Sequence, residues 1–437
     1  MFLKNFFFIF SVGKIFKESE KMDFVRTLNF IIAAVFFICY SYQFLYIPVA
    51  LFKKEPPHKL PQKHRFAVLV SARNEEKVIG ELIKSINSQT YGRENIRIFV
   101  MADNCTDETA RVARISGARV YKRFNLEKIG KGYALEELLN HISEDYPRNY
   151  FDGFFVFDAD NVLEENYIEE MNKTFSDGFN IITGYRNSKN YGDNWISAGY
   201  SLWFLRESRF LNHSRFLLGN SCAVSGTGFF FSKEILEKCG GWPFHLLTED
   251  IEFTVHNIIC GEKIGFCKNA VLYDEQPVLF SQSWRQRMRW AKGYLQVFGK
   301  YGTDLIKGIF RRDFSCFDMT MNIMPAVVLS VLCALINGFA SLAAVLSGES
   351  LLPIVFSLGE SLFNMYLTLF AIGAITTVTE WKQIHVSAFK KVFYAFTFPL
   401  FMFTYIPISV AAIFKKVEWK PIEHKIKISA AELKRSA

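Results

Sequence analysis

A chain of 437 residues is long enough for two or three domains. Half of its residues are hydrophobic and the mean hydropathy is +0.11, high for a wholly soluble protein. The net charge of +8 comes without a nucleic-acid-binding motif, and the eight cysteines are scattered with no C-x-x-C. Nucleic-acid binding, a zinc module and a disulfide scaffold are therefore set aside, and the cysteines read as free small hydrophobes.

In chain order, residues 1–12 are apolar but short, and no small-residue cleavage site follows. They read as an interfacial segment rather than a cleaved signal peptide. Thr27 to Phe52 carries no charge. Met319 to Gly348, Ser361 to Thr379 and Val392 to Phe414 are likewise uncharged. Each is close to or above the roughly 20 residues needed to cross a bilayer. The chain between Phe52 and Met319 is charged and mixed, so a soluble domain is inserted after the first span. Lys53, Lys54, Lys59, Lys63 and Arg65 on one side of it, and Arg311 and Arg312 on the other, place that domain in the cytoplasm by the positive-inside rule.

Within the domain, Phe66 to Val70 reads as a buried strand ending at Ser71-Ala-Arg-Asn-Glu-Glu76. Val78, Ile79, Leu82, Ile83 and Ile86 follow at helical spacing. Ile96 to Val100 is a second strand ending at Asp103; Asp107 to Ser116 is a helix that Asp107 can cap; Ala118 to Tyr121 is a third strand. Gly130-Lys-Gly132 opens a helix through Leu139, and Gly153 to Phe157 is a strand ending at Asp158-Ala-Asp160. Strands alternating with helices predict a mostly parallel sheet, whose ligands bind beyond the carboxyl ends of its strands. Three polar clusters fall at that edge.

There is no G-x-x-x-x-G-K-[ST] and no G-x-G-x-x-G, which excludes a P-loop ATPase and a dinucleotide-binding oxidoreductase by motif. Asp158 and Asp160 lie on opposite faces of a continued strand but converge if the chain turns. Two hard oxygen ligands, with water and phosphate, suit Mg²⁺ or Mn²⁺. Thr248-Glu-Asp250 is also a good helix start, with Thr248 as cap; a base there would have its pKa lowered by the helix N-terminus. Trp284, Arg285, Arg287, Arg289 and Trp290 fit a membrane-interface belt, and for Trp284 and Arg287 that reading is preferred. Gln286, Arg289 and Trp290, at i, i+3 and i+4, share one helical face and favour a site. His245 and His256 lack partners at metal spacing and read as structural. Gly226-Thr-Gly228 before Phe229 is either an acceptor-side loop or a tight turn into a strand.

The succession Ser71-Ala-Arg-Asn-Glu-Glu76, Asp103-Asn-Cys-Thr-Asp107, Gly130-Lys-Gly-Tyr-Ala-Leu135, Asp158-Ala-Asp160, Thr248-Glu-Asp250 and Gln286-Arg-Met-Arg-Trp290 resembles the processive family 2 glycosyltransferases. These are inverting membrane synthases of cellulose, mixed-linkage glucan, hyaluronan, chitin oligomers and poly-N-acetylglucosamine. The resemblance implies an α/β GT-A nucleotide-sugar domain plus an α-helical transmembrane region. It implies that Asp103 contacts uridine beside the Ser71 and Glu75 loop, with Lys131 near the phosphates. Asp158 and Asp160 would hold the nucleotide and Mg²⁺ or Mn²⁺. Asp250 would be the general base with Glu249 beside it; Gln286 and Arg289 would face the diphosphate, and Trp290 would stack under the acceptor sugar. Its implied partners are a UDP-sugar (UDP-glucose or UDP-N-acetylglucosamine), a growing β-linked polysaccharide and the plasma-membrane bilayer, with room for an accessory subunit. The rivals are a non-processive transferase adding one sugar to a lipid carrier and a transporter that only senses nucleotide.

The expected organisation is an interfacial segment and first span over 1–60, the GT-A domain over 61–295, interfacial helices over 296–318, further spans over 319–414, and a basic tail over 415–437. Small and polar residues in the later spans, among them Asn337, Gly338, Ser341, Asn364 and Gly373, permit close helix packing or line a polymer path. Glu360 is a costly carboxylate within the membrane or an interface residue. One span before the domain and three after it would leave the tail outside, yet Lys415, Lys416, Lys420, Lys425 and Lys427 argue for inside. One apolar stretch is then in-plane or re-entrant, and an inside tail lets Trp419 and His424 reach the catalytic opening. Val378-Thr379-Glu380-Trp381-Lys382 is loosely similar to the gating loop of cellulose synthases.

Overall fold

The computed structural model describes residues 27–348, 350–418, 422 and 424–435; the expectations for residues 1–12 and Trp419 lie outside them. The globular part is built on one eight-stranded sheet in the order β3-β2-β1-β4-β7-β6-β8-β5. The strands are β1 (Phe66–Ala72), β2 (Ile96–Asp103), β3 (Arg119–Arg123), β4 (Gly153–Asp158), β5 (Val162–Leu163), β6 (Ile181–Ser188), β7 (Phe229–Ser232) and β8 (Ile264–Asp274). β1 is buried along most of its length because it pairs in parallel with β2 on one side and β4 on the other. Its alternate residues serve two cores. Phe66, Val68 and Val70 face helices Ile79–Asn87 and Tyr167–Ser176, while Ala67 and Leu69 face helices Lys131–Asp145 and Glu249–Ile259.

The sheet is mixed, with four of its seven strand pairings parallel and three antiparallel. β7 is antiparallel to both β4 and β6, and β5 is antiparallel to β8. Phe229-Phe-Phe-Ser232 is buried throughout, so no period of two marks its direction. The turn before it decides the direction. Gly228 has φ +64°, and a Cβ there would lie 1.8 Å from a Leu272 methyl, so only glycine lets the chain re-enter beside β4.

Three described helices are long and apolar enough to cross a membrane: Thr27–Phe52, Ile354–Thr379 and Ala388–Phe414. The first is tied to the globular part through a buried charge. Tyr42 and Tyr46 donate to Asp318 at 2.6 and 2.8 Å, and Arg215 donates to the same carboxylate at 2.7 and 2.9 Å. Farther along, Asn29 bonds Asn337 and Ser357, joining helices Thr27–Phe52, Val331–Leu346 and Ile354–Thr379 at one polar contact. Packing and hydrogen bonding, not amphipathicity, hold these helices together.

The third apolar helix keeps to the globular domain along its length. Lys390 donates to the Gly192 carbonyl at 2.8 Å, Phe401 lies against Gly199, and Thr404 accepts from Arg287 at 2.6 Å. Near its end, Lys292 donates to the Ile413 carbonyl at 3.3 Å. The tail then returns to the same domain. Lys425 and Ile426 donate their backbone N–H groups to Glu275, and Lys434 pairs with Glu164. The described part of the tail therefore packs against the globular domain.

Candidate active site

A cavity of about 1170 Å³ opens at the carboxyl ends of β1, β2 and β4 and continues between the apolar helices. Every residue singled out for the site in the sequence lies on its wall: Ser71, Glu75, Asp103, Lys131, Asp158 and Asp160 at one end, then Glu249, Asp250, Gln286, Arg289 and Trp290.

At the first end, the loops after β1 and β2 brace one another. Asn74 takes φ +59° and accepts from the Thr106 N–H at 2.8 Å, and the Glu75 N–H donates to Thr109 at 2.7 Å. Asp107 accepts from the Thr109 N–H at the start of the helix, the capping role its type suggested. Asp103 is buried and held by Arg123 at 2.7 Å.

The chain does turn after β4. The Asn161 N–H bonds the Asp158 carbonyl, which carries Asp158 and Asp160 to the same cavity. Lys131 reaches Asp158 at 2.5 Å and the Gly226 carbonyl at 2.7 Å. Burial alone would lower the Lys131 pKa, but Asp158, Glu249 and Asp250 raise it. Asp160 accepts from the Glu275 N–H at 2.8 Å. Burial would raise its carboxyl, yet His424, Lys189 and Arg186 hold it below the usual range. Glu75 is pushed up to about 7 by burial, with Asp160 and Asp158 adding repulsion against the pull of His424. That crowd of carboxylates favours an added cation. Among the described residues no three His, Cys, Asp or Glu side chains converge as a complete ligand set. Two carboxylates at one strand end fit a divalent ion that takes its other ligands from a diphosphate and water.

At the other end, Glu249 and Asp250 open the helix Glu249–Ile259. The expected lowering of the base is reversed. Burial raises the Asp250 carboxyl, outweighing the Ile251 N–H, Arg289 and Lys131. Glu249 rises to about 7 through burial and the neighbouring Asp250. Thr248 does not cap through its side chain; its hydroxyl has no partner and packs on Gly293, where a Cβ would come within 2.5 Å. Gln286, Arg289 and Trp290 do share one face of helix Phe280–Phe310. Arg289 donates to the Leu247 carbonyl at 2.6 Å, and the buried Gln286 carbonyl oxygen has no partner. Trp290 stands edge-on to Tyr200 and Phe204, with centroids at 5.8 and 6.2 Å.

Arg287 is not a membrane-belt residue. It is fully buried, donates to the Phe401 carbonyl and Thr404, and lies over the Phe401 ring at 4.3 Å. It docks the third apolar helix. Trp284 is half-buried beside Phe280. The gate-like stretch 378–382 is not on the cavity wall; Glu380 within it binds Tyr185 and pairs with Arg209. His245 stacks on Tyr133 and His256 packs on Phe244, both structural placements. Gly226-Thr-Gly228 turns into β7, and Gly226 lines the cavity.

Sequence reasoning missed Arg186, Glu207, Asp274 and Glu275, all on the wall. Asp274-Glu-Gln276 at the end of β8 is the same signal as Asp158-Ala-Asp160, a polar cluster ending an apolar strand. His424 reaches the opening, with Nδ1 3.0 Å from Glu75. Burial disfavours its charge, but Asp160, Glu75 and Glu275 raise its pKa to about 10. Between the apolar helices the wall is mostly apolar, including Phe30, Phe36, Phe37 and Phe44, with polar exceptions that include Asn29, Ser357, Glu360 and Asn364.

A family model described as "Glycosyltransferase like family 2" matches residues 61–293. The β-monoglucosyldiacylglycerol synthase of Synechocystis sp. is 25% identical over 240 residues, 54% of this chain and 48% of that protein. The poly-β-1,6-N-acetyl-D-glucosamine synthase of Staphylococcus epidermidis is 24% identical over 242 residues, 54% of this chain and 56% of that protein. The chain thus spans about half the length of these curated relatives. The mannosyltransferase PcManGT of Pyrobaculum calidifontis, solved in complex with GDP-Man and Mn²⁺, matches with a TM-score of 0.55 at 16% identity, covering 89% of this chain and 99% of that one.

Proposed function

This chain belongs to family 2 of the glycosyltransferases and carries their GT-A fold; from that premise we propose that it is a processive, inverting synthase of a β-linked polysaccharide. The observation that carries the reading is the continuity of one cavity from Asp158 past Asp250 and Trp290 to the membrane helices. A UDP-sugar lies with its base beside Ser71, Glu75 and Asp103 and its diphosphate toward Asp158, Asp160 and Lys131. Mg²⁺ or Mn²⁺ at the two aspartates supplies charge neutralisation for the departing diphosphate. Lys131 and Arg289 complete that cradle, with the Gln286 side-chain NH₂ as a further donor.

Asp250 accepts the proton of an acceptor hydroxyl as that oxygen bonds to the anomeric carbon. The bond to the diphosphate breaks on the opposite face, UDP leaves with the electron pair, and the anomeric centre inverts. A carboxyl raised by burial is a stronger proton acceptor than a free one. Trp290 offers the acceptor sugar an indole face without covalent attachment, so the product can advance.

Two membrane features belong to the same proposal. The catalytic domain faces the cytoplasm, and the apolar helix 388–414 lies along it in the membrane plane rather than crossing. Its bonds to Gly192, Arg287 and Lys292 at start, middle and end support that placement, and it leaves the tail inside.

Purified membranes given UDP-glucose or UDP-N-acetylglucosamine with Mg²⁺ should release UDP and form a chain of many residues. Asp250→Asn should lower UDP release at least about 100-fold; a normal rate removes Asp250 as the base. A second reading, transfer of one sugar to a membrane lipid, is favoured by the aromatic and aliphatic wall between the helices and by the lipid acceptor in the Synechocystis relative's name. Product that partitions into organic solvent as a single glycolipid would select that reading.

A further inference from the structure

Helices Trp195–Arg206 and His213–Leu218 are joined by a π-helical stretch, Glu207–Asn212. Such turns are rare and recur at functional sites, because the wider turn weakens packing unless something compensates. Here it is locked from both sides. Ser208 accepts the Arg186 N–H from β6 at 3.1 Å, and Asn212 both donates to and accepts from the Ala223 backbone, at 3.0 and 2.9 Å. The first residue of the turn, Glu207, lines the catalytic cavity. It is half-buried, and it accepts the hydroxyl of Ser225 through one carboxylate oxygen.

The surroundings connect Glu207 to the transfer end rather than to the nucleotide. Arg186 donates to the Ser225 carbonyl at 3.0 Å and lies over Phe204 at 3.6 Å, and Phe204 backs Trp290. A Cβ at the next residue, Gly226, would stand 3.7 Å from Asp250. A sugar stacked on Trp290 with one hydroxyl at Asp250 therefore presents its other hydroxyls toward the Phe204–Glu207 side. A carboxylate with one oxygen committed to Ser225 has a second to accept from them.

We propose that Glu207 is a specificity-determining residue that accepts a hydrogen bond from a second hydroxyl of the acceptor sugar, and so selects which hydroxyl faces Asp250. This rests on the transferase reading above and names the determinant of linkage within it. The motifs that mark the family in this chain do not include Glu207, which lies between Asp158-Ala-Asp160 and Thr248-Glu-Asp250.

The test uses the full chain in detergent with Mg²⁺ and either UDP-glucose or UDP-N-acetylglucosamine, comparing wild type, Glu207→Gln and Glu207→Ala. Glu207→Gln keeps an oxygen for Ser225, so loop structure is preserved. Expected are polymer formation reduced about 10- to 100-fold in Glu207→Ala, the size of a lost charged hydrogen bond, with UDP-sugar hydrolysis falling less than polymer, and a changed product length or linkage pattern in both variants. Unchanged product length and linkage in both variants would overturn the proposal. So would parallel loss of hydrolysis and polymer, which would mean Glu207 supports the donor site or the fold. A wild type that consumes neither donor would instead bring down the function proposed above.

Discussion

The charge that anchors the first apolar helix should be among the most sensitive positions outside the catalytic cavity. Arg215 and Asp318 are 1% and 2% exposed, and the carboxylate also accepts from Tyr42 and Tyr46. Burial would raise the Asp318 carboxyl, but Arg215 and the hydroxyls hold it below the usual range. Asp318→Ala leaves a guanidinium buried without its counter-charge, a loss of about 3–5 kcal/mol. At about 2–4 °C per kcal/mol for a unit of 150–250 residues, the unfolding midpoint should fall by roughly 10 °C. Tryptophan fluorescence of the detergent-solubilised protein during heating measures it. The double variant Arg215→Met with Asp318→Leu should recover most of the loss, because no charge remains buried. A fall of less than about 2 °C in Asp318→Ala, or a double variant worse than the single one, would refute the reasoning.

Other consequences are open to direct measurement. A bulky side chain at Gly199 would meet Phe401, since even a Cβ there comes within 2.3 Å; Gly199→Leu should detach helix 388–414 and raise the reactivity of a cysteine placed at Thr404 toward a soluble maleimide. His424 has a pKa of about 10 when docked, against 6.5 free. The docked tail therefore binds the extra proton between those values, so docking is strongest below pH 6.5 and weakens as pH rises toward 10. Tryptic cleavage at Lys427, taken relative to a His424→Gln variant at each pH, should rise across that window, and a flat ratio would refute it. Lys131→Met removes the cation bonded to Asp158 and should raise the KM for UDP-sugar at least about tenfold, with a steeper dependence on Mg²⁺ concentration; unchanged kinetics would place Lys131 outside the phosphate contacts.

Much of the catalytic half was legible because its signals are local. A strand ending in a polar cluster needs only its own residues to be recognised, and Phe66–Ala72 with Ser71, Ile96–Asp103 with Asp103, and Gly153–Asp158 with Asp160 all fold that way. Helical spacing likewise put Gln286, Arg289 and Trp290 on one face. The errors came where a residue's surroundings are supplied from far along the chain. Arg287 looked like a belt residue because nothing in its neighbourhood shows that Phe401 and Thr404, more than a hundred residues later, close over it. Asp250 looked like a lowered acid because its helix N-terminus is local, whereas the burial that raises it is tertiary.

The sequence by itself determined the α/β plan, the cavity-facing acids and the apolar helices, since hydrophobic period and strand-end chemistry act within a few residues. Only the tertiary structure decided the antiparallel course of β7, the docking of helix 388–414 along the catalytic domain, the return of the tail to Glu75 and Glu275, and the arrival of Glu207 and Arg186 beside Asp250. Those outcomes depend on contacts between distant segments, whose energies are set by burial and partner geometry that no local pattern encodes.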